Sequence, residues 1–235
     1  MGVKDIPLNK QMEKLTQKTT DAWQILRIQG EFTKIFDELS DIIPSISILG
    51  SARTKEGSKW YEEAYKAGKY LAKFGFGVIT GGGPGIMEAA NRGADEAGLV
   101  QAHSFGVGIE LPFEKGMNEA VQAGVTCRYF FTRKVAFLKY SQGFIFFPGG
   151  LGTLDELFET LTLSQTGHAP KFPIILVGSE YWGGLIEWIN ASLLESGYIK
   201  EDDMEMFRIV DSAKEAVLKI LEFNNKYRPN QTTNF

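Results

Sequence analysis

Two hydrophobic rhythms run along this chain. From Asp21 to Leu39 the apolar residues Trp23, Leu26, Phe32, Ile35, Phe36 and Leu39 recur at helical spacing, which predicts an amphipathic helix ahead of the main fold. The residues before it, 1 to about 18, are polar and are expected to be loose. After residue 44 the rhythm changes. Short apolar runs predict strands over 45–50 (SISILG), 77–80 (GVIT), about 102–109, 125–131 (VTCRYFF), 143–148 (GFIFFP) and 173–178 (PIILVG).

Helical patterns fall between these runs. They cover 58–74, closed by Gly75 as a C-cap signal, then 86–97, 132–140, a stretch ending near Gln165, 182–195 and 212–223. The stretch around Leu111-Pro112-Phe113 reads as irregular, and the tail NNKYRPNQTTNF (224–235) as disordered. The expected organisation is therefore an extension over 1–40, a Rossmann-like nucleotide-binding domain over 41–223, and a tail. Apolar strands alternating with helices predict a doubly wound α/β fold, a mainly parallel sheet with helices on both faces. Ligands of such sheets sit beyond the carboxyl ends of the strands.

Composition narrows the function. The chain has 235 residues, 43% of them hydrophobic, which suits one domain with a sizeable core. A formal net charge of −4 argues against a nucleic-acid partner. One cysteine, Cys127, leaves no disulfide framework or cysteine-rich metal site, and with two histidines, His103 and His168, no metal is expected. Both histidines are expected to be structural or on the surface, and Cys127 to be core. The N-terminus has no apolar signal segment, and no apolar run approaches the ~20 residues that span a bilayer, so a cytoplasmic protein without a membrane partner is expected.

Both glycine clusters fall between a strand and a helix. Free N–H groups at a helix start, with the positive end of its dipole, hold a phosphate, and residues without Cβ let the anion approach the backbone. Gly149, Gly150 and Gly152 supply that, with the Thr153 hydroxyl as a further donor. Gly81-Gly82-Gly83-Pro84-Gly85 offers a second such surface, with Met87 and Glu88 on the first turn of its helix. Plain readings compete: such glycines also make tight turns, and Thr153-x-x-Glu156 also fits a capping box. Two loops at equivalent sheet positions favour a ligand. Neither is a standard fingerprint: Ile86 stands where a dinucleotide motif wants a third small residue, and the second loop lacks the Gly-Lys-Ser/Thr of a P-loop. Arg133 and Lys134 stand in the first turn of their predicted helix, where the dipole opposes cations unless an anion or a carboxylate lies nearby.

The segments GGGPGIMEAANRGA (81–94), FTRK (131–134) and PGGLGTLDE (148–156) together resemble the Lonely Guy family, cytokinin riboside 5′-monophosphate phosphoribohydrolases, over roughly residues 44–195. Members have also been labelled lysine decarboxylases, but no lysine here sits in a recognisable pyridoxal-phosphate setting. FTRK departs from the plant-type M-H-x-R-K pattern, and the N-terminal helix with the Gly106–Met117 segment looks like a longer bacterial subgroup. The resemblance implies Arg133 and Glu156 as catalytic residues. It implies Ser51, Gly82, Gly83, Gly85, Met87, Lys134, Gly149, Gly150, Gly152 and Thr153 as substrate-binding residues, with Met87 near the base.

The reaction implied by the resemblance is hydrolysis of the N-glycosidic bond of a purine nucleoside 5′-monophosphate, such as AMP or a cytokinin riboside monophosphate, to free base and ribose 5-phosphate. Arg133 is expected to orient Glu156 or the phosphate and to keep the Glu156 carboxylate ionised. No cofactor is implied, and a homodimer or higher homo-oligomer is. Two other classes stay open on the residues: a non-catalytic nucleotide or molybdenum-cofactor carrier, and a DNA-binding protein, which the net charge disfavours.

Overall fold

A computed structural model gives the fold of residues 8–99, 101, 103–110 and 116–227, with side chains from Thr19 onward. Seven strands form one parallel sheet: β1 (Ser45–Leu49), β2 (Gly77–Thr80), β3 (Ser104–Ile109), β4 (Ala123–Cys127), β5 (Ser141–Phe146), β6 (Ile174–Val177) and β7 (Phe207–Val210). The order is β4-β3-β2-β1-β5-β6-β7. From β1 the chain winds outward to β4, then crosses back to place β5 against the other side of β1. That reversal makes β1 and β5 the switch point of the sheet, and α/β sheets bind ligands beyond the carboxyl ends of the strands at such a point.

The strands are apolar on both faces because both are covered. Ile46, Ile48, Val78, Ile145, Phe147 and Ile175 pack against α2 (Lys59–Lys73), α3 (Ile86–Asp95) and α8 (Ala213–Tyr227). Leu49, Ile79, Phe144, Phe146, Ile174 and Leu176 point the other way. They meet Ile35 of α1 (Leu8–Glu38) and Leu39 just beyond it, Phe137 of α4 (Phe130–Tyr140), Leu157 of α5 (Leu151–Gln165) and Trp182 of α6 (Ser179–Ile189). Helices α2 and α3 touch backbone to backbone: a Cβ at Gly93 would stand 1.9 Å from the Tyr65 carbonyl oxygen, and one at Gly68 2.1 Å from that of Ala90. This close packing fixes α3, which carries the first glycine loop at its start.

Several expected boundaries shift. Helix α1 begins at Leu8, so the part of residues 1 to about 18 within the described range is helical rather than loose. Of the apolar residues expected on this helix, Ile35 and Leu39 (the latter just past its end) are core, while Trp23, Leu26 and Phe36 are exposed. The strand expected over 125–131 is β4, displaced toward Ala123 and ending at Cys127, where the chain turns into α4. The helix expected over 182–195 starts at Ser179 and loosens into a π turn at Asn190–Leu194. Helix α8 runs to Tyr227, into the segment read as tail; residues 228–235 and the Leu111-Pro112-Phe113 stretch lie outside the described residues. The short α7 (Glu201–Met204) and edge strand β7 were not expected at all. Gly75 does close α2, with φ 85° and its N–H on the Ala72 carbonyl. Cys127 and His103 are buried and His168 is exposed, in line with their structural readings. Among the described residues no helix is long and apolar enough to cross a membrane.

Candidate active site

The first glycine loop is held from behind by a buried amide network. The Thr80 hydroxyl accepts the Gly82 N–H at 2.9 Å and donates to Asn91 Oδ1 at 2.6 Å. Asn118 Nδ2 donates to the carbonyls of Gly82 (3.1 Å) and Gly83 (3.0 Å), and fully buried Asn91 donates to Ser104 Oγ at 2.9 Å. Buried polar groups of this kind are costly unless paired, so the network pins one loop conformation. Gly85 caps α3 with φ 69° and lies on the β1 turn: a Cβ there would stand 2.4 Å from the Ser51 carbonyl oxygen, which accepts the Ile86 N–H at 3.1 Å. The Ser51 N–H donates to the Pro148 carbonyl at 3.1 Å. Ser51 thus joins the two loops, and Gly85 is glycine because backbone passes there.

The second loop leads into α5, whose cap is Gly150. Thr153 is the third helical residue and leans back over Gly149, where a Cβ would meet Thr153 Oγ1 at 2.1 Å. The capping-box reading of Thr153 and Glu156 therefore fails, because both lie inside the helix and neither is the cap. The Tyr181 hydroxyl donates to the Gly149 carbonyl and braces the loop from α6. A Cβ at Gly150 or Gly152 would meet no atom within 4 Å, and neither residue has a positive φ. Nothing within the fold requires glycine at these two positions, which face open space at a helix start.

Arg133 reaches from α4 across the sheet end. Its Nε donates to the Val107 carbonyl at 2.9 Å, and its guanidinium stands 5.3 Å from the Phe137 ring centroid. The far end rests on the first loop: a Cβ at Gly81 would lie 2.1 Å from Arg133 Nη2 and 2.7 Å from Met87 Sδ. The Met87 methyl also covers Gly83. Gly82, in the left-handed region at φ 73°, packs on Met117. Arg133, Met87 and the loop over 81–83 thus form one surface.

Glu156 is 8% exposed, and burial pushes its carboxyl up to about 7; Arg133 and, less, Lys134 oppose this, while Glu159 and Asp155 add to it. The expectation that Arg133 keeps this carboxylate fully ionised is corrected: desolvation outweighs the cation. Lys134 pairs with Asp155 at 2.9 Å and Glu159 at 3.5 Å, so carboxylates of α5 offset the dipole at the start of α4. Burial acts to lower the Lys134 amine, but these carboxylates and Glu156 prevail and raise it. Asn91, Asn118 and Tyr181 escaped the sequence reading; the one available signal was Asn91, a polar residue on the apolar stripe of α3.

Residues 87–220 match the family model described as possible lysine decarboxylase. The chain belongs to this family. The resemblance to Lonely Guy proteins holds at the level of relatives within it. The chain is 29% identical over 180 residues to the cytokinin riboside 5′-monophosphate phosphoribohydrolase LOG of rice, covering 76% of this chain and 72% of the relative. It is 31% identical over 162 residues to the cytokinin riboside 5′-monophosphate phosphoribohydrolase of Mycobacterium tuberculosis, covering 66% and 82%. In fold this family member is similar to the molybdenum cofactor binding protein of Rippkaea orientalis, with TM-score 0.55, 22% identity, and 78% and 98% of the two chains covered.

Proposed function

We propose that this protein hydrolyses the N-glycosidic bond of a purine nucleoside 5′-monophosphate, releasing the base and ribose 5-phosphate. The observation that carries the reading is Glu156: a buried carboxyl pushed up to about 7 by burial, within the field of Arg133, in a helix whose first glycines face open space. The names of the relatives support the same chemistry.

In this reading the phosphate sits on the N–H groups at the start of α5, among Gly149, Gly150, Gly152 and Thr153. Ser51, Gly82, Gly83 and Gly85 shape the opposite wall, and the base lies toward Met87. The bond from C1′ to the base nitrogen breaks through an oxocarbenium-like state, as in sugar hydrolysis. Ionised Glu156 stabilises that cation and takes a proton from the water that bonds to C1′; the bond's electron pair leaves with the base, whose nitrogen takes a proton from solvent as Glu156 gives its own back to solvent. Arg133 favours the ionised form against burial, and Lys134 ties α4 to α5. No cofactor takes part in these steps.

Lysine decarboxylation fits the site less well. A Schiff-base lysine needs a neutral amine, whereas Lys134 is paired with two carboxylates that keep it charged. We also read the protein as a cytoplasmic homo-oligomer. Leu151 is 85% exposed, and with Leu154, Phe158 and Leu163 it lines an apolar groove along α5 beside the site. Light scattering that finds only an active monomer would contradict the oligomer. The reaction itself is tested by chromatography of 5′-monophosphates after incubation: free adenine from AMP supports it. Tight AMP binding without adenine supports a carrier instead.

A further inference from the structure

The N-terminal helix meets the start of α4 through Glu31. Glu31 of α1 accepts the backbone N–H groups of Arg128 at 2.8 Å and Tyr129 at 3.2 Å, and the Thr132 hydroxyl donates to the same carboxylate. These donors surround the start of α4, whose cap residue Tyr129 makes no side-chain cap hydrogen bond. A helix start leaves N–H groups unpaired, and a carboxylate there is favoured by the dipole as well as by the bonds. Here the cap comes from another element, about a hundred residues away in sequence. Thr132 is fully buried, and the next residue is Arg133. Glu31 also lies outside the matched family segment, which begins at residue 87.

We infer that Glu31 is a positioning residue that fixes the start of α4 and thereby holds the Arg133 guanidinium against Gly81 and beside Glu156. The inference rests on the reading that Arg133 and Glu156 are the working pair. Among the described side chains of α1, Ile35 enters the core and the Phe36 ring lies under Lys139 of α4, while Trp23, Ile25 and Leu26 stay exposed. Three hydrogen bonds to one carboxylate make Glu31 a polar anchor between α1 and the start of α4. Losing it frees the first turn of α4 to shift, and displacements of about 1 Å near reacting groups can cost ~10²-fold in rate.

The test is the titration of Glu156, read by carbon-13 NMR of carboxyl-labelled glutamate, with the resonance assigned by its loss in E156Q. Arg133 and Lys134 from α4, and Asp155 and Glu159 on α5, are the charged groups whose fields reach this carboxyl. In E31A the Arg133 charge retreats, so the midpoint should rise by about half a pH unit or more. E31Q keeps one carbonyl acceptor and should rise less; it carries the test if E31A does not fold. I35A removes core packing on the same helix and should leave the midpoint in place. At neutral pH, kcat for AMP should fall roughly tenfold or more in E31A while KM changes less than about threefold. An unmoved midpoint in E31A and E31Q overturns the inference, as does an equal rise in I35A. A wild type that releases no adenine, with the midpoint moving as expected, overturns the catalytic reading and leaves the positioning role intact.

Discussion

Arg133 Nη2 lies where a side chain at Gly81 would begin: a Cβ there would stand 2.1 Å from it. The other atom in the way is Met87 Sδ at 2.7 Å. Both belong to the ends of flexible side chains, and Gly81 does not have a positive φ. G81A should therefore fold with a stability change below about 1 kcal/mol, because the guanidinium can swing aside. The displaced arginine should lower kcat/KM for AMP by about 10²-fold. Thermal melting alongside AMP turnover checks both halves. Activity within twofold of wild type would show that the guanidinium position is immaterial.

Gly152 separates folding from function in the other direction. It stands in the first turn of α5 with nothing within 4 Å of its would-be Cβ, so alanine is free to occupy the site. Alanine is also the better helix former by about 0.8–1 kcal/mol. G152A should melt at or above the wild-type temperature, yet lose at least about tenfold in AMP affinity if a phosphate approaches the backbone there. Calorimetric titration with AMP decides. Unchanged affinity would mean that the open space is not the phosphate site.

The sheet was legible because its strands are short apolar runs punctuated by glycine. GFIFFP and PIILVG mark β5 and β6 with little competition. Strand β7 (FRIV) was not, because Arg208 interrupts it and the edge position leaves residues after Phe207 partly exposed. The start of α4 was misplaced for a different reason: VTCRYFF has strand chemistry throughout, and what ends the strand at Cys127 is the Glu31 carboxylate taking the next N–H groups. Motifs showed Arg133, Glu156 and the glycines. They could not show Asn118 or Tyr181, whose roles are hydrogen bonds to loop carbonyls from distant segments. Nor could they show that burial outweighs Arg133 at Glu156, since that balance depends on how far the carboxyl is withdrawn from water.

That balance has consequences for stability and rate. A carboxyl raised from 4.5 to about 7 binds its proton more tightly when folded, so the folded state loses stability as pH rises from about 4.5 through 7. At 1.36 kcal/mol per pH unit the penalty at pH 8 is up to roughly 3 kcal/mol. E156Q should therefore be more stable than wild type at pH 8, with the gain vanishing near pH 4.5. Melting curves at the two pH values test this, and an equal difference at both would contradict it.

The same substitution should cost about 10²–10⁴-fold in kcat, the span for a positioned acid or base. Because the ionised form does the work, wild-type kcat for AMP should climb with pH through a midpoint near 7. Glutamine in place of Arg133 removes the opposing charge and should move that midpoint upward. Steady-state rates between pH 5 and 9 show it. A flat profile, or an E156Q that retains half its activity, would remove Glu156 from the chemistry.

Under the proposed function, the loop over 149–153 holds a phosphate that never reacts. Binding energy from such a group can place the ribose over Glu156, so its loss should lower turnover as well as affinity. Charge-assisted hydrogen bonds contribute about 1.5–3 kcal/mol each, and losing two costs ~10²-fold or more. The direct measurement is kcat/KM for AMP and adenosine under identical conditions, by chromatography of released adenine. AMP should be cleaved with an efficiency at least about 10² times that of adenosine. Comparable efficiencies for the two, or no adenine from AMP that binds tightly, would contradict the account.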